Sequence, residues 1–539
     1  MSGCPVVQMS SAAGLQDSSF DVIIVGGGTS GLVVANRLSQ NASIRVLEDP
    51  DFDWGFRSTP HQQLNGRQRL ATSGRTLGGS SAINLVRKFH TGAPPSDSVR
   101  EFFGGMKSEK KDQGANGPVQ VSYGEQYLPY HEDPIKGAGS GPFVTPGLVD
   151  PVTHTRSHAA AAYLTPDVLS RPNLRVVAGA QVEKILLDSS PEAVTATHVQ
   201  FVKDGQSYIV ATTREIVLAA GATQTPQLLE LSGIGSTSFL RSHGIEPFVD
   251  LRGVGENLQD HGIVAFGYEV ADGLPSGDMA RDPAVAAAAM AAYQKDGSGP
   301  LGMVGLVSAF MPCLDFPESE RQKLLQKIDE LLDKKDLPTR YRKQYNILKG
   351  LLKDPNEPTA QYILGPFQLL PRVGPNPKQL FGMGHPGFFI SLVSLLSYPL
   401  SRGSVHLSSV DYTASPVIDS GILRHPADKI PQTEAMSPLL KAGGERLHTP
   451  ERLIDLQKAE DLCREPVLSM YHVSGTCAMM PLEDGGAVDP RLSVHGVRNL
   501  RVVDASVFPL VPRGNTQATV FVVAEKAADL IKEDHAIDK

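Results

Sequence analysis

The sequence predicts an α/β fold in which a discontinuous domain with a mainly parallel sheet is interrupted by an α+β region with a mainly antiparallel one. Three stretches predict it. Residues 21–25 (DVIIV) form a β-branched run that drives into GGGTSG, a helical pattern follows over 31–38, and a second short strand over 43–47 ends at Glu48. Residues 214–235 (REIVLAAGATQTPQLLELSGIG) repeat that order, with an apolar strand, a glycine and a helix carrying proline in its first turn. Residues 499–504 (NLRVVD) give a third strand ahead of a final helix over 515–532. Strands of one parallel sheet separated by insertions this long require the chain to leave the domain and return to it.

The intervening region has a different texture. Residues 283–292 are alanine-rich, and 317–358 are heavily charged with helical spacing (RQKLLQKIDELLDKK), the pattern of a solvated helix face. Short β-like runs at 361–364, 388–396 and 404–408 predict an antiparallel sheet with helices on one face. The expected division is a flexible tail over 1–19, one domain from 20–90, 172–262 and 465–535, and a second from 91–171 and 263–464. A chain of 539 residues suits two such domains.

Composition narrows the function. The net charge of −8 and the lack of a basic face argue against a nucleic-acid partner. The longest uncharged apolar run, 387–400 (GFFISLVSLLSYPL), is too short to span a bilayer and reads as a buried strand, so no membrane association is expected. The first twenty residues lack a basic start and an apolar core, which predicts no secretory signal and a cytoplasmic location. Cys4, Cys313, Cys463 and Cys477 are scattered without metal-ligand spacing, which predicts reduced thiols and no metal site.

Gly26, Gly28 and Gly31 spell G-x-G-x-x-G between a strand and a helix, with Glu48 at the end of the next strand. In that setting Gly26 makes the tight turn, Gly28 lets a pyrophosphate approach the backbone, and Gly31 lets helix and strand pack closely. Thr29 and Ser30 lie in the same turn, where free N–H groups and the helix dipole favour phosphate. Glu48 is placed to accept from a ribose hydroxyl. The domain is therefore read as Rossmann-like and dinucleotide-binding. Tyr345 and Lys349 match the Tyr-x-x-x-Lys spacing of short-chain dehydrogenases, but they lie in the charged helical stretch and read as coincidence.

Six further motifs follow in order: GRTLGGSSAIN (74–84), GATQTPQLLELSGIG (221–235), GVGENLQDH (253–261), PLSRGSVHLSS (399–409), HVSGTCAM (472–479) and VDASVFPLVPRGNTQATV (503–520). With the N-terminal unit they resemble the glucose-methanol-choline (GMC) oxidoreductase family of FAD-dependent alcohol oxidases and dehydrogenases, over about residues 20–532. The resemblance implies an FAD-binding domain, a substrate domain built on a six-stranded antiparallel sheet, and a small-molecule alcohol as substrate. It implies that Gly78, Gly79, Ser80, Ser81 and Asn84 run along the flavin, that Val182 meets adenine through its backbone, and that Asp504 and Ala505 lie near the ribityl-pyrophosphate. Ile83 stands where some members carry a flavin-tethering histidine, which implies FAD held without a covalent bond. His472 takes the position of the catalytic histidine and Asn515 that of its partner, with Thr516 beside it at the start of the last helix. A neutral imidazole can take the hydroxyl proton, and an asparagine amide can donate to the developing alkoxide. The lack of a secretory signal fits the intracellular dehydrogenases that tailor fungal secondary metabolites.

Two departures stand out. Glu48-Asp49-Pro50 runs almost directly into Phe52-Asp53-Trp54, where relatives carry a long segment, and LVRKFHTGAPPSDSVREFFGG follows Asn84 where relatives carry an Arg-Gly pair and several tryptophans. The chain then represents either a trimmed branch with an opener site or a shortened form with impaired flavin binding. A fold relative that closes a ring without net oxidation keeps a non-redox cyclase as the alternative reaction.

Overall fold

The computed structural model describes residues 15–16, 18–48, 56–60, 68, 70–71, 90–102, 117–123, 141–145, 147–302, 306–312, 318–354, 356–369, 384–425, 428, 446–447, 464 and 467–537. Strand β1 (Ser19–Val25) lies at the centre of a parallel sheet, because its alternating and then continuous apolar residues can be buried on both faces. It pairs with Gln206–Leu218 on one side and with β2 (Val46–Glu48) on the other. Leu174–Val176 extends the sheet beyond β2, and Leu500–Val502 adds beyond Gln206–Leu218. Helix α1 (Thr29–Ser39) is buried along almost its whole length. It is fastened to the last helix, Gln517–Asp534, by a bidentate Arg37–Glu525 pair at 2.8 Å.

The strand expected over 43–47 is shorter and begins at Val46. Asn41 explains this, since its side chain accepts from the backbone N–H and hydroxyl of Ser43 and holds a turn there. The first half of Gln206–Leu218 joins Ala180–Ser190 and Ala193–Lys203 in an antiparallel meander. Its tight Asp204-Gly205 turn has both residues at positive φ, 52° and 76°.

The helix after Gln206–Leu218 spans Gly221–Leu231, so Pro226 stands in its interior and not in its first turn. A proline there deprives the Ala222 carbonyl of its helical donor. Thr476 repairs the loss by donating its hydroxyl to Ala222 O at 2.6 Å. The early start has a tertiary cause as well, because the Asp504 carboxylate accepts from Gly221 N at 2.9 Å and Thr225 Oγ1 at 2.6 Å.

The second sheet is antiparallel throughout, in the order Arg446–Leu447, Gly262–Glu269, Phe389–Leu396, Ala360–Gly365, Leu306–Met311, Gly141–Thr145. A seventh strand, Leu468–Ser469, pairs with the start of Gly262–Glu269 while Arg446–Leu447 pairs further along the same edge. Among the described residues the sheet therefore has seven strands, one more than the six that the resemblance implied, because two short strands share one edge. The run expected over 404–408 is a strand, Gly403–His406, but it belongs to a separate three-stranded sheet with Glu256–Leu258 and Val417–Asp419. The charged stretch forms two helices, Glu318–Leu332 and Thr339–Lys353, whose apolar faces meet around Ile328, Tyr345 and Leu348. Tyr345 is buried and Lys349 pairs with Asp329 on the neighbouring helix, so their dehydrogenase-like spacing is structural. No helix among the described residues is long and apolar enough to cross a membrane.

A histidine links this small sheet to the parallel domain. His406 Nδ1 lies 2.7 Å from the buried Glu230, and Nε2 lies 3.5 Å from Glu256. Burial works against its charge, but the two carboxylates outweigh burial and lift its pKa to about 9. The folded value exceeds the ordinary 6.5, so its contribution to stability is complete below pH 6.5 and is lost as pH rises through about 9. The melting temperature of wild type is therefore expected to fall more between pH 7 and pH 9.5 than that of His406→Gln. Parallel curves would show that the link carries no stability.

Candidate active site

One short strip of chain templates the site. In GVGENLQDH, residues 257, 259, 260 and 261 each hold a different piece of the surroundings. Asn257 donates its amide to Gly475 O at 3.2 Å, and Gln259 donates to Pro509 O at 3.1 Å while accepting from Val511 N at 3.2 Å. Gln259 and Ser474 also exchange both backbone hydrogen bonds, at 2.9 and 3.0 Å. Asp260 accepts the backbone N–H of His472 at 3.0 Å and the Ser469 hydroxyl. His261 meets the ring of His472, Nδ1 to Nδ1, at 2.8 Å. The strip thus fixes the segment carrying His472 and the segment leading to Asn515. The motif is legible in the sequence, but the partners of these side chains are not. All four are buried in the fold, which obliges each to find a partner, and that burial is not written in the motif.

His472 is buried, and its Nε2 has no hydrogen-bond partner among the described residues. Burial, reinforced by the neighbouring His261, holds its pKa well below the ordinary imidazole value, so the ring is neutral at pH 7. Gly475 follows at φ +88°, where a Cβ would stand 2.7 Å from Asn257 O, so the turn beside His472 requires glycine. Asn515 is half-buried and precedes the last helix, which begins at Gln517 with Thr516 as N-cap; the helix starts two residues later than expected. Gly514 abuts Phe310 of the antiparallel sheet, and Arg513 lies over the same ring at 5.0 Å. The Asn515 segment is thereby tied both to the strip and to the sheet.

The glycine-rich turn runs from strand into helix as its spacing predicts. Gly26 turns from β1 toward α1 at φ +113°, and a Cβ on it would lie 2.4 Å from the Ala219 carbonyl oxygen. Gly28 is the extended N-cap of α1, and Thr29, Ser30 and Gly31 form its buried first turn without an acidic side chain. The Ser30 hydroxyl is buried and has no partner among the described residues. Both amide atoms of Gln517, at the start of the last helix, are orphaned in the same way. Two helix starts with unsatisfied polar groups fit the phosphates and the polar rim of a bound dinucleotide. Glu48 ends β2, beside α1 in the fold, and Val182 pairs with Phe201 at the edge of the meander. Asp504 is buried with both oxygens engaged by protein donors, the second by Ser506 N at 2.8 Å. Its carboxylate therefore braces the local fold, and the Ala505 carbonyl beside it accepts from Gly475 N at 3.1 Å. Gly78, Gly79, Ser80, Ser81 and Asn84 lie outside the described residues. Cys477 is fully buried, and burial pushes its thiol well above the ordinary value, so it is no nucleophile.

Comparison with known proteins shows the family. Two GMC oxidoreductase family models match residues 139–263 and 399–524. Dehydrogenase mpl7 of Monascus purpureus is 32% identical, with 96% of each chain covered. Glucose methanol choline oxidoreductase atC of Aspergillus terreus is 29% identical, over 95% of this chain and 92% of that protein. Among solved structures, an FAD-dependent oxidoreductase from Chaetomium thermophilum superposes with a TM-score of 0.82 at 25% identity, covering 96% of this chain and all of that one. A fungal aryl-alcohol oxidase superposes with a TM-score of 0.80, also at 25% identity, over 97% of this chain and 100% of the other. The alignment with mpl7 runs over 607 positions, more than the 539 residues of this chain, so the relative holds internal segments that are missing here. The chain belongs to the GMC oxidoreductase family, the flavin-dependent alcohol oxidoreductases.

Proposed function

We propose that the chain holds FAD without a covalent bond and oxidises the CH–OH group of a small organic alcohol to a carbonyl, with His472 as general base and Asn515 as its partner. The observation that carries this reading is the His472 ring, neutral and buried, with Nε2 left without a partner among the described residues. FAD, when bound, supplies the acceptor for the hydride that leaves the carbinol carbon. The chain's own residues do the rest. His472 Nε2 takes the hydroxyl proton, and the Asn515 amide donates to the oxygen as negative charge grows on it. Gly26, Gly28, Thr29, Ser30, Gly31 and Glu48 would hold the adenosine diphosphate, and Ala505, Thr516 and Gln517 the flavin half. Likeness to an aryl-alcohol oxidase and to fungal dehydrogenases supports the reaction class. A cytoplasmic enzyme tailoring a secondary metabolite is part of the same reading.

The antiparallel sheet supports a polar substrate. Gln361 pairs with Leu395, which pairs with Ile263, and two residues along that row stand Thr359, Ser397 and His261 on the same face. Gln361 Oε1, Thr359 Oγ1 and Ser397 Oγ are buried without partners among the described residues. Gln361→Leu is expected to raise KM for hydroxylated alcohols about tenfold, the loss of one hydrogen bond, with kcat little changed. An equal loss with unsubstituted alcohols would remove Gln361 from substrate recognition.

The reading as a whole is tested by anaerobic addition of candidate alcohols to the purified protein. Bleaching of the flavin spectrum is expected, whereas product formed with the spectrum unchanged would favour the cyclase. Acid precipitation is expected to leave the yellow colour in the supernatant, and flavin in the pellet would overturn the untethered assignment.

A further inference from the structure

The two buried histidines form a chain with only one consistent proton arrangement. His261 Nε2 lies 3.2 Å from the carbonyl oxygen of Ser397, and its Nδ1 lies 2.8 Å from His472 Nδ1. The rings meet edge to face, with centroids 5.0 Å apart and an interplanar angle of 84°. A carbonyl oxygen only accepts, so the proton of His261 must sit on Nε2. Burial pushes the pKa of His261 down to about 4, so the ring carries that one proton at neutral pH, and its Nδ1 is a lone pair. The 2.8 Å contact then needs a donor on the other side, and His472 must carry its single proton on Nδ1. What remains on His472 Nε2 is an unprotonated lone pair.

The anchorage of the relay is backbone. Ser397 follows strand Phe389–Leu396, and its N–H donates to Thr359 O at 3.0 Å. The main chain around His261 is held by Met470 N, which donates to His261 O at 2.9 Å, and by the pairing of Gly262 with Ser469. On the other side, Asp260 holds the backbone of His472 at 3.0 Å. Neither ring can turn over without breaking a bond to a fixed partner. The nearest carboxylate on either element, Asp260, is engaged with the His472 backbone and the Ser469 hydroxyl.

We propose that His261 is a positioning residue that locks His472 in the Nδ1–H tautomer, so that Nε2 is always presented as a proton acceptor. A histidine side chain free in water favours the opposite tautomer, in which Nε2 carries the proton and cannot act as a base. This deepens the role given to His472 above, but the tautomer rests on the two hydrogen bonds of His261 and on its burial, and is measurable without turnover.

The test is ring nitrogen-15 NMR of the FAD-loaded protein with labelled histidine, the His472 signals being those lost in His472→Asn. Wild type at pH 7 is expected to show a protonated-type shift at Nδ1 and a lone-pair-type shift at Nε2. His261→Leu removes the acceptor and is expected to move the pattern toward the Nε2–H form. His261→Asn, whose side-chain oxygen stands near the former Nδ1, is expected to restore it. With an alcohol that bleaches the flavin, His261→Leu should slow reduction by more than about tenfold, yet less than His472→Ala does, with KM little changed. His261→Asn should recover most of that rate. A wild-type spectrum with the proton on His472 Nε2, or with both nitrogens protonated, overturns the inference even if His261→Leu fails to fold. An unchanged pattern in a folded His261→Leu protein overturns it too. The expected pattern in a protein whose flavin no alcohol reduces would support the tautomer lock and sink the oxidation reading instead.

Discussion

His472→Ala is expected to slow anaerobic flavin bleaching by about 10²–10⁴-fold, the usual range for removing a general base. The FAD should stay bound, because the ring hydrogen-bonds to His261 and takes no part in the two helix starts that fit the dinucleotide. The fold should survive as well, since Asp260 grips residue 472 through its backbone N–H and not through its side chain. Asn515→Ala is expected to slow the same step less, because one donor is lost while the base survives. Stopped-flow absorbance of the loaded enzyme reads all of this. A His472→Ala protein that bleaches at the wild-type rate would sink the assignment of the base, and one that loses its flavin would show that the ring is structural.

The second large effect is expected at Gly26. Its φ of +113° is open to glycine and strained for any other residue, and an added Cβ would press to 2.4 Å on the Ala219 carbonyl oxygen. Backbone strain and overpacking together cost on the order of 2–6 kcal/mol. Gly26→Ala is therefore expected to lower the melting temperature and to leave the purified protein largely without FAD, since relief can come only by moving the turn away from the sheet. Flavin absorbance per chain, set beside a thermal melt, measures both. Full loading with an unchanged melt would mean that the turn relaxes freely, and that its contact with the Ala219 crossover is not what shapes the phosphate site.

The parallel domain was legible in sequence because its signals are local. A β-branched run, a glycine turn and a helix start at Thr29 lie within a dozen residues of one another. The start of the helix Gly221–Leu231 was not legible, because its cap comes from Asp504, 283 residues away, and the interior proline is tolerated only because Thr476 serves the orphaned carbonyl. Gly403–His406 reads as a strand from its alternation, yet alternation does not name the partner, and the pairing with Glu256–Leu258 is set by the fold. His472 was found through its motif. His261 was not, although it stands in a quoted motif, because a lone histidine at a strand start has no periodic or spacing signature. Only the 2.8 Å contact between rings reveals it.

The threading of the parallel sheet also sets a timetable for biogenesis. Strand Gln206–Leu218 must wait for Leu500–Val502, and Asp260 must wait for the backbone of His472, 212 residues further along the chain. At roughly 5–20 residues per second of synthesis, that last wait is on the order of 10–40 s. During it the nascent chain exposes a sheet edge that its last parallel strand has yet to fill. The pairing of His261 with His472 can form only after that interval, so the proposed base takes up its geometry after both sheets have most of their strands.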